Sequence, residues 1–289
     1  MINFHKFTFF DIKRLQHLLD GKNYWLNELN PIKIFLSSVN NSMEISFTND
    51  VCYIRIYKDD IGYCYYPPIC SVTKITEALD TIRLDAKEKG IDYQLIYLSE
   101  EELFNYEKYN YELYEQIGNY IYLSSELANY KSFSKRHYKH KINDFSKLHP
   151  DIFPKKLVKE DLNDVILFLD QLSQNKNSKD YFDLVNYTKN LMEHLYELNL
   201  KGLVFRGEKE VYGIIICCEI GNLYDVNYLV AVPGAKEKII AEFAKLVMNK
   251  TKYISLEREN VLDATLPKEL RIVKYYTNFK YEDKKEENW

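Results

Sequence analysis

Apolar residues in the C-terminal half of the chain follow two kinds of spacing, and each kind predicts one type of element. Two β-branched runs, 211–220 and 223–232, are separated by a Gly-Asn pair. Because Gly and Asn tolerate the positive φ of tight turns, this pattern predicts a β-hairpin. Apolar residues then recur at helical spacing over 240–247, and a short apolar run occupies 253–256. The chain is therefore expected to continue from the hairpin into a helix and a strand.

Two polar residues, Asp225 and Asn227, interrupt the second run of the hairpin. Successive side chains of a strand point to opposite faces, so these two are expected on one face. An unpaired polar group that is buried costs roughly 1–3 kcal/mol, so each must meet water, a partner or a ligand. The pair therefore lies either on a solvated face or in a substrate cleft. The opposite face would carry Tyr224, Val226, Tyr228 and Val230.

The same order of elements is predicted about 160 residues earlier in the chain. A hairpin over 51–66 ends at two prolines, and a helix over 73–89 and a strand over 93–98 follow. A repeated order of elements at constant spacing favours two similar domains over one large fold. We therefore predict an α/β (α+β) protein of two domains, 1–149 and 150–289. Each should be a mixed, largely antiparallel sheet flanked by helices.

A predicted helix over 131–148 has a narrow apolar stripe of Tyr138, Ile142, Phe145 and Leu148, and it carries the highest density of positive charge in the sequence. Five Lys or Arg residues lie within its first eleven positions, and its first acidic residue is Asp144. Like charges four residues apart repel each other, so this density indicates either a solvated helix face or a wall that binds anions. The candidate anion-binding residues are Lys135, Arg136, Lys139 and, at the start of the later helix, Lys236. His137 and His140 lie three apart, but no acidic or cysteine ligand is near them, so no metal site is predicted.

Composition and charge indicate a globular protein and restrict its partners. The 289 residues include 26 tyrosines but only 9 glycines and 7 prolines, which favours continuous elements with few long loops. A formal net charge of −4 argues against a surface that coats nucleic acid, and no DNA partner is predicted. No apolar run approaches membrane-spanning length and the first ten residues lack a signal-peptide core, so a cytoplasmic location is expected. No oligomeric state is predicted.

Motifs of several enzyme classes are absent from the sequence. It contains no GxGxxG, no Walker A loop, no Gly-x-Ser-x-Gly elbow and no HExxH, so the classes that these motifs define are excluded. The five cysteines show no CxxC spacing and lie in or beside apolar runs. In a reducing compartment such cysteines are expected to be buried thiols rather than metal ligands or disulfides.

Four segments of the chain resemble a known family. They are Ile142-Asn143-Asp144-Phe145 at the end of the basic helix, residues 225–234 with Glu242-Phe243-Ala244, the pair Arg258-Glu259, and the segment from Leu270-Arg271 to Lys274. These segments are similar to the C-terminal domain of bacterial phosphatidylglycerol lysyltransferases, and the resemblance spans most of the chain. Departures occur at Glu257, where the family has Asn, and at Thr277, where it has Tyr. The Lys-Arg pair of the basic helix also lies one turn early.

The resemblance implies two tandem GNAT-like acyltransferase domains with the substrate in the cleft between them. It implies transfer of an acyl or aminoacyl group to an amine, from an aminoacyl-tRNA, an acyl-CoA or another small-molecule donor. Acyl-CoA is disfavoured, because acetyl-CoA-dependent GNAT enzymes hold the pyrophosphate with Gln/Arg-x-x-Gly-x-Gly/Ala at a helix N-terminus. Only Gly234 remains of that loop, and the earlier copy, 66–71, has no glycine, although Lys236 could compensate by charge. No cofactor is therefore assigned.

Transfer to an amine needs a base and an oxyanion site, and the sequence offers candidates for both. The amine must lose a proton before it attacks an ester or thioester, so a carboxylate at the cleft should act as the base. Glu259 is the leading candidate, and Asp225, near Asn227 on the same strand, is the second. Arg258 and Lys274, or backbone N–H groups of the hairpin, could stabilise the oxyanion. Arg258 and Glu259 could instead form a structural ion-pair network.

A second function is compatible with the same sequence. The chain could be a non-catalytic anion- or RNA-binding protein that keeps the tandem GNAT-like fold. In that case the basic helix over 131–148 would be the binding surface, and it is expected to line the groove between the domains and to contact phosphate. A pure anion binder would not need the carboxylates Asp225 and Glu259, which favours the transferase.

Overall fold

The computed structural model describes most of the chain and divides it into two compact units. The described residues are 2–19, 25–40, 42–59, 61–106, 111–129, 136–173, 176–207, 210–257 and 266–278. Unit 1 comprises Met1–Ile117 and Lys274–Trp289, and unit 2 comprises Gly118–Val273. The expected boundary between 149 and 150 falls inside unit 2. The division into GNAT-like domains 1–149 and 150–289 stays a prediction.

Unit 1 contains a four-stranded antiparallel sheet with the strand order β1-β2-β3-β4. Its described elements are β1 (His5–Lys6), α1 (Phe9–Leu19), α2 (Pro31–Asn40), β2 (Met43–Thr48), β3 (Val51–Lys58), β4 (Gly62–Tyr65), α3 (Ile75–Lys89) and β5 (Leu98–Ser99). The first residues of β6 (Tyr114–Leu123) and the last residues of β12 (Arg271–Thr277) also belong to unit 1, where β12 pairs antiparallel with β5.

Unit 2 contains a mixed sheet in which the strands follow the order β6-β11-β10-β9-β8-β7. Its further elements are α4 (Ser124–Ala128), α5 (Arg136–Leu148), β7 (Phe153–Lys156), α6 (Leu162–Leu172), α7 (Lys179–Glu193), β8 (Lys201–Arg206), β9 (Val211–Ile220), β10 (Leu223–Ala231), α8 (Lys236–Val247) and β11 (Tyr253–Glu257). Strands β10 and β11 are parallel, and the other pairs are antiparallel. The predicted fold class, mixed and largely antiparallel sheets flanked by helices, is confirmed.

Helix α3 shows how the local sequence sets an element of unit 1. Its buried residues recur at helical spacing, as the sequence predicted, and include Leu79, Ile82 and Ala86. The helix ends at Gly90, which adopts the left-handed conformation with φ 63° and donates its N–H back to the last turn. Glycine is favoured there because it has no Cβ to clash. A predicted strand over 93–98 is reduced to one bridge and the two-residue β5.

Helix α5 packs on α8 through the narrow apolar stripe that the sequence predicted. Tyr138, Ile142 and Phe145 are buried in one core cluster with residues of α8 and of the sheet in unit 2. Leu148 was expected to extend this stripe, but its side chain is 75% exposed. That prediction is wrong: Leu148 is the last residue of the helix, and its side chain stays outside the core cluster. The opposite face of α5 is left to the charged residues.

The predicted repeat of element order is confirmed, and it extends to the pairing of the strands. In unit 1 the segment after α3 returns parallel to the second hairpin strand, with Leu95 beside Tyr65. In unit 2, β11 returns parallel to β10, with Ile254 beside Tyr224. Both members of this pair lie 159 positions apart between the two copies. The close superposition of residues 48–98 on residues 208–258 stays a prediction.

Candidate functional site

Strand β10 contains a β-bulge at Asn227. Val226 lies opposite Cys217 of β9. The next pair joins Tyr228 to Ile216, so the register skips Asn227. A bulge interrupts the ladder, bends its strand and redirects the side chains that follow. The middle of this hairpin strand is therefore irregular, where the sequence predicted regular alternation.

The bulge reverses the two faces of the strand. Before it, the Tyr224 ring contacts Phe243 of α8, with ring centroids 5.6 Å apart. After it, Thr188 Oγ1 of α7 donates a hydrogen bond to the Tyr228 hydroxyl at 2.7 Å. Leu229, rather than Tyr228, packs on the core cluster that contains Tyr224. The prediction that Tyr224 and Tyr228 share a face is wrong, because one inserted residue inverts the alternation.

Strands β10 and β11 part next to the bulge. They pair over three residues, and the last pair joins Asp225 to Ser255. Both strands continue, β10 to Ala231 and β11 to Glu257, but no further pair joins these described segments. Parallel strands that separate in mid-sheet leave backbone groups and side chains of both strands open to a ligand. The site therefore arises from the way β10 pairs with its neighbouring strands and not from the conformation of a loop.

Buried polar side chains cross the sheet where the strands part. Asn119 of β6 donates its side-chain N–H to Ser255 Oγ at 2.8 Å, and Ser255 lies beside Asp225. The side chain of Asp225 is buried, and Asn227 is only 6% exposed. Of the two alternatives for this pair, the solvated face is therefore wrong. That both side chains face a substrate cleft stays a prediction, and of the two only Asn227 lines the pocket beside the bulge.

A pocket of about 400 Å³ opens beside the bulge in unit 2. It is lined by Leu184, Tyr187, Asn227, Tyr228, Leu229, Val230 and Glu257. The side-chain nitrogen and oxygen of Asn227 form no hydrogen bond with any described residue. Leaving a buried polar group unsatisfied costs roughly 1–3 kcal/mol, and contact with a ligand removes that cost. Asn227 is thus the lining residue whose side-chain polar atoms are left to a ligand.

Helix α7 holds the bulge through two consecutive residues. The Tyr187 hydroxyl donates to the backbone oxygen of Asn227 at 3.3 Å, and Thr188 donates to the Tyr228 hydroxyl. The rings of Tyr187 and Tyr228 are stacked, with centroids 6.2 Å apart and planes 30° apart. Burial raises the pKa of Tyr228, so its phenol stays protonated at neutral pH. The sequence pattern gives no signal for this contact, because Tyr187 and Asn227 lie 40 positions apart.

The predicted catalytic residues do not all fall within the described chain. Arg258 and Glu259 lie outside the described residues. Lys274 belongs to unit 1, where its Nζ lies 2.9 Å from Glu115 Oε1. The hydrogen bond that Lys274 donates to Glu115 raises the pKa of Lys274 and lowers the pKa of Glu115. In this structure Lys274 is therefore engaged by a carboxylate.

The predicted anion-binding residues fall in two places of unit 2. Arg136 and Lys139 are exposed on α5, whereas Lys135 lies outside the described residues. Lys139 forms no ion pair with any residue that the structure describes, and Arg136 Nε donates to His140 Nε2 at 3.4 Å. Lys236 begins α8, directly after Ala235 and the positive-φ Gly234 (φ 86°). From Arg136 to Lys141 the exposed face of α5 therefore carries only Arg, Lys and His side chains, and the first acidic residue of the helix is Asp144.

Other chemistries find little support in the described ranges. No group of three or more His, Cys, Asp or Glu side chains that could hold a metal ion occurs among them. All five cysteines are buried, and burial raises the pKa of Cys52 and Cys217 well above the ordinary thiol value. None of the helices in this part of the chain is long and apolar enough to cross a membrane.

A bulged hairpin, a helix and a parallel strand that parts from the hairpin place the protein in the GNAT-like class of acyltransferase folds. The model of the family "phosphatidylglycerol lysyltransferase, C-terminal" matches residues 34–268. The chain therefore belongs to this family. A comparison with curated proteins gives no match.

Solved structures agree with this assignment at the level of the fold. A conserved protein of unknown function from Bacteroides thetaiotaomicron superposes with a TM-score of 0.83 at 16% identity, covering 96% of this chain and 99% of its own. The C-terminal domain of a protein assigned as a lysylphosphatidylglycerol synthetase from Agrobacterium fabrum has a TM-score of 0.61 at 8% identity, with 93% and 92% covered. L-PGS from Bacillus licheniformis has a TM-score of 0.61 at 13% identity, with 84% and 74% covered.

Proposed function

We propose that this protein transfers an acyl or aminoacyl group to an amine acceptor at the pocket beside the bulge of β10. The observation that carries the proposal is the place where β10 parts from β11. There a buried carboxylate, Asp225, lies in the same strand as a buried amide, Asn227, whose polar atoms have no partner among the described residues. A purely structural sheet would gain nothing from the unsatisfied amide of Asn227.

The reaction places separate demands on base and oxyanion site. The amine nitrogen attacks the carbonyl carbon of an ester or thioester, and the alcohol or thiol leaves with a proton once the tetrahedral intermediate collapses. Glu259 remains the leading candidate base, and Asp225 the second, to take the proton that the amine loses. The backbone N–H groups of the bulge, with Arg258, are the candidate donors to the oxyanion.

Family membership supports an ester donor. A relative named for lysyl transfer to phosphatidylglycerol makes an aminoacyl-tRNA the first donor to test here, with other small-molecule esters next. An acyl-CoA donor is disfavoured, because Gly234 is the only glycine of the pyrophosphate loop that remains. We therefore expect no tight binding of acetyl-CoA, and a low-micromolar dissociation constant in calorimetry would contradict this.

The test is a transfer assay with Asp225→Asn. If Asp225 is the base, transfer of a labelled aminoacyl group to an amine should fall about 10²–10⁴-fold, the usual contribution of general base catalysis. Asp180→Asn changes an exposed carboxylate of α7 and is the matched control, with no expected loss. Full activity of Asp225→Asn together with loss in Glu259→Gln would assign the base to Glu259. No transfer by the wild-type protein from any ester donor would overturn the proposal.

A specific observation supports the second function, binding of anions or RNA without catalysis. Lys139 and Lys141 are exposed on α5 and have no ion pair among the described residues. A cationic face of this kind fits an anion- or RNA-binding protein that retains the GNAT-like fold without catalysis. Binding of RNA by a protein that fails every transfer assay would favour this function over the transferase.

A further inference from the structure

The pocket beside the bulge has a chemistry that narrows the class of acceptor. The Asn227 amide offers one hydrogen-bond donor group and one acceptor side by side, and neither is used by a described residue. A group that satisfies both must present an acceptor and a donor at matching spacing. The peptide group, with its C=O and N–H, is such a group.

Strand β10 adds a second feature that suits an extended chain. Beyond Asp225, β10 runs on to Ala231 without pairing to β11 within the described segments. An extended peptide recognises an open strand edge through main-chain hydrogen bonds, and side-chain pockets then set specificity. The amide of Asn227 lies at the start of this open edge, so it would meet the first peptide group of a chain that enters there.

The other residues that line the pocket favour the N-terminal end of an extended peptide over its other parts. Glu257 supplies a carboxylate, which favours a cationic amine. Leu184, Leu229 and Val230 supply an apolar wall, which favours an apolar side chain. An anionic headgroup would instead place two like charges together at Glu257, which is unfavourable.

We infer that the acceptor of the proposed transfer is the N-terminal amine of a peptide with an apolar first residue. Asn227 is then a specificity residue: its amide pairs with the first peptide group, while Glu257 faces the amine. The inference rests on the proposed function for the transfer itself, whereas binding of the peptide does not depend on transfer.

Binding measurements on the full chain test the inference without any donor. The probe is the tripeptide Leu-Ala-Ala amide, compared with its N-acetylated form and with the depsipeptide in which an ester replaces the first peptide N–H. Each change removes one interaction, so each should weaken calorimetric binding about tenfold or more. Pantetheine, which has two amides but no amine, should bind more weakly than the tripeptide.

Variants assign the effect to Asn227. In Asn227→Leu, the peptide and the depsipeptide should bind with equal affinity, because the acceptor of the N–H is gone. Asn190→Leu removes an exposed amide of α7 and should keep the tenfold difference. Glu257→Gln should reduce the preference for the free amine over the N-acetylated form.

The outcomes separate this inference from the proposed function. Transfer to non-peptide amines by a protein that binds no tripeptide would overturn the inference and leave the transferase standing. Tripeptide binding with the expected pattern but without transfer would support the peptide site and overturn the proposed transferase function. Tighter binding of pantetheine than of the tripeptide, or an unchanged discrimination in Asn227→Leu, would also overturn the inference.

Discussion

The bulge of unit 2 has a counterpart in unit 1, and the two differ in what they place at the same position. In the β3–β4 hairpin, Arg55 pairs with Tyr65, but Ile69 pairs with Cys52, one residue out of register. The β9–β10 hairpin shows the same one-residue shift after Val226. The two copies therefore share an irregular feature as well as the order of their elements.

The residues in the two bulges have opposite properties. With the spacing of 159 positions, Tyr66, Pro67 and Pro68 of unit 1 correspond to Asp225, Val226 and Asn227 of unit 2. Proline has no N–H and is tolerated in a sheet only where the ladder does not need one, as in a bulge. The bulge of unit 1 thus cannot donate hydrogen bonds from the two proline positions, whereas that of unit 2 keeps both N–H groups.

The space beside the two bulges differs as well. In unit 1 the Tyr66 ring packs on Tyr97, with centroids 5.1 Å apart, and Tyr97 packs on Tyr275 at 5.0 Å. Tyr97 has φ 58°, which is unfavourable for a residue with a large side chain and must be held by its surroundings. In unit 2 the corresponding region holds the pocket of about 400 Å³. Unit 2 thus has an open pocket beside its bulge, whereas in unit 1 aromatic rings pack beside the corresponding residue.

The test with the largest expected effect introduces into the bulge of unit 2 the proline that unit 1 has at the corresponding position. Asn227→Pro removes the N–H from the bulge without removing a paired position of the register. If this N–H stabilises the oxyanion, the transfer rate should fall about 10²–10³-fold. Asn227→Leu retains the N–H and separates loss of the side chain from loss of the donor. Pro68→Ala in unit 1 should leave the rate unchanged, and a lower rate in Pro68→Ala would break the comparison.

The second test concerns how each unit treats its buried polar side chains. The Asp85 carboxylate of unit 1 accepts hydrogen bonds from Ile2 N at 2.8 Å, Lys89 Nζ at 2.6 Å and Tyr65 Oη at 3.3 Å. Asp85→Asn leaves Lys89 without its counter-charge and should lower the free energy of unfolding by about 3 kcal/mol.

The same measurement should give the opposite sign at Asn227. Asn227→Leu removes an amide without described partners, so the free energy of unfolding should stay unchanged or rise by about 1 kcal/mol. Urea titrations of both variants check the contrast. A loss in Asn227→Leu as large as in Asp85→Asn would mean that Asn227 has a structural rather than a ligand-binding role.

A third test concerns the cationic face of α5. Replacing Lys135, Arg136 and Lys139 with Ala should flatten the dependence of log affinity for a single-stranded RNA on log salt by about two, since each phosphate contact contributes roughly 0.7. The control replaces three exposed lysines elsewhere in unit 2, Lys155, Lys156 and Lys250, and should leave the slope unchanged. Equal slopes in both triple variants would identify α5 as a solvated face.

The smallest expected effect lies at the pair of Glu115 and Lys274. Because Lys274 lowers the pKa of Glu115 in the folded protein, the pair stabilises the fold above the ordinary Glu pKa of 4.5. This contribution is lost as the pH falls through the lower folded pKa. Lys274→Ala should therefore reduce stability slightly near pH 7 and not at all at a pH well below the lowered pKa of Glu115. A difference of equal size at both pH values would contradict this sign.

Much of the fold can be read from the chain because its signals are local. The helical spacing in α3 and α8 and the Gly-Asn turn between β9 and β10 each depend on residues a few positions apart. The apolar stripe of α5 is of the same kind: it was predicted from Tyr138 to Leu148, and only Leu148 was wrong. Even the repeat follows from the order of such local elements.

The site could be predicted only in part. The sequence by itself singled out Asp225 and Asn227, since polar residues in mid-strand are uncommon and need a reason. Only the tertiary structure decided that Asn227 is an extra residue, because a bulge is defined by the register of two strands. That register in turn decided which face Tyr228 takes and brought Tyr187 from α7 to the bulge. Pairings between residues distant in sequence leave no periodic trace, so spacing alone could not predict them.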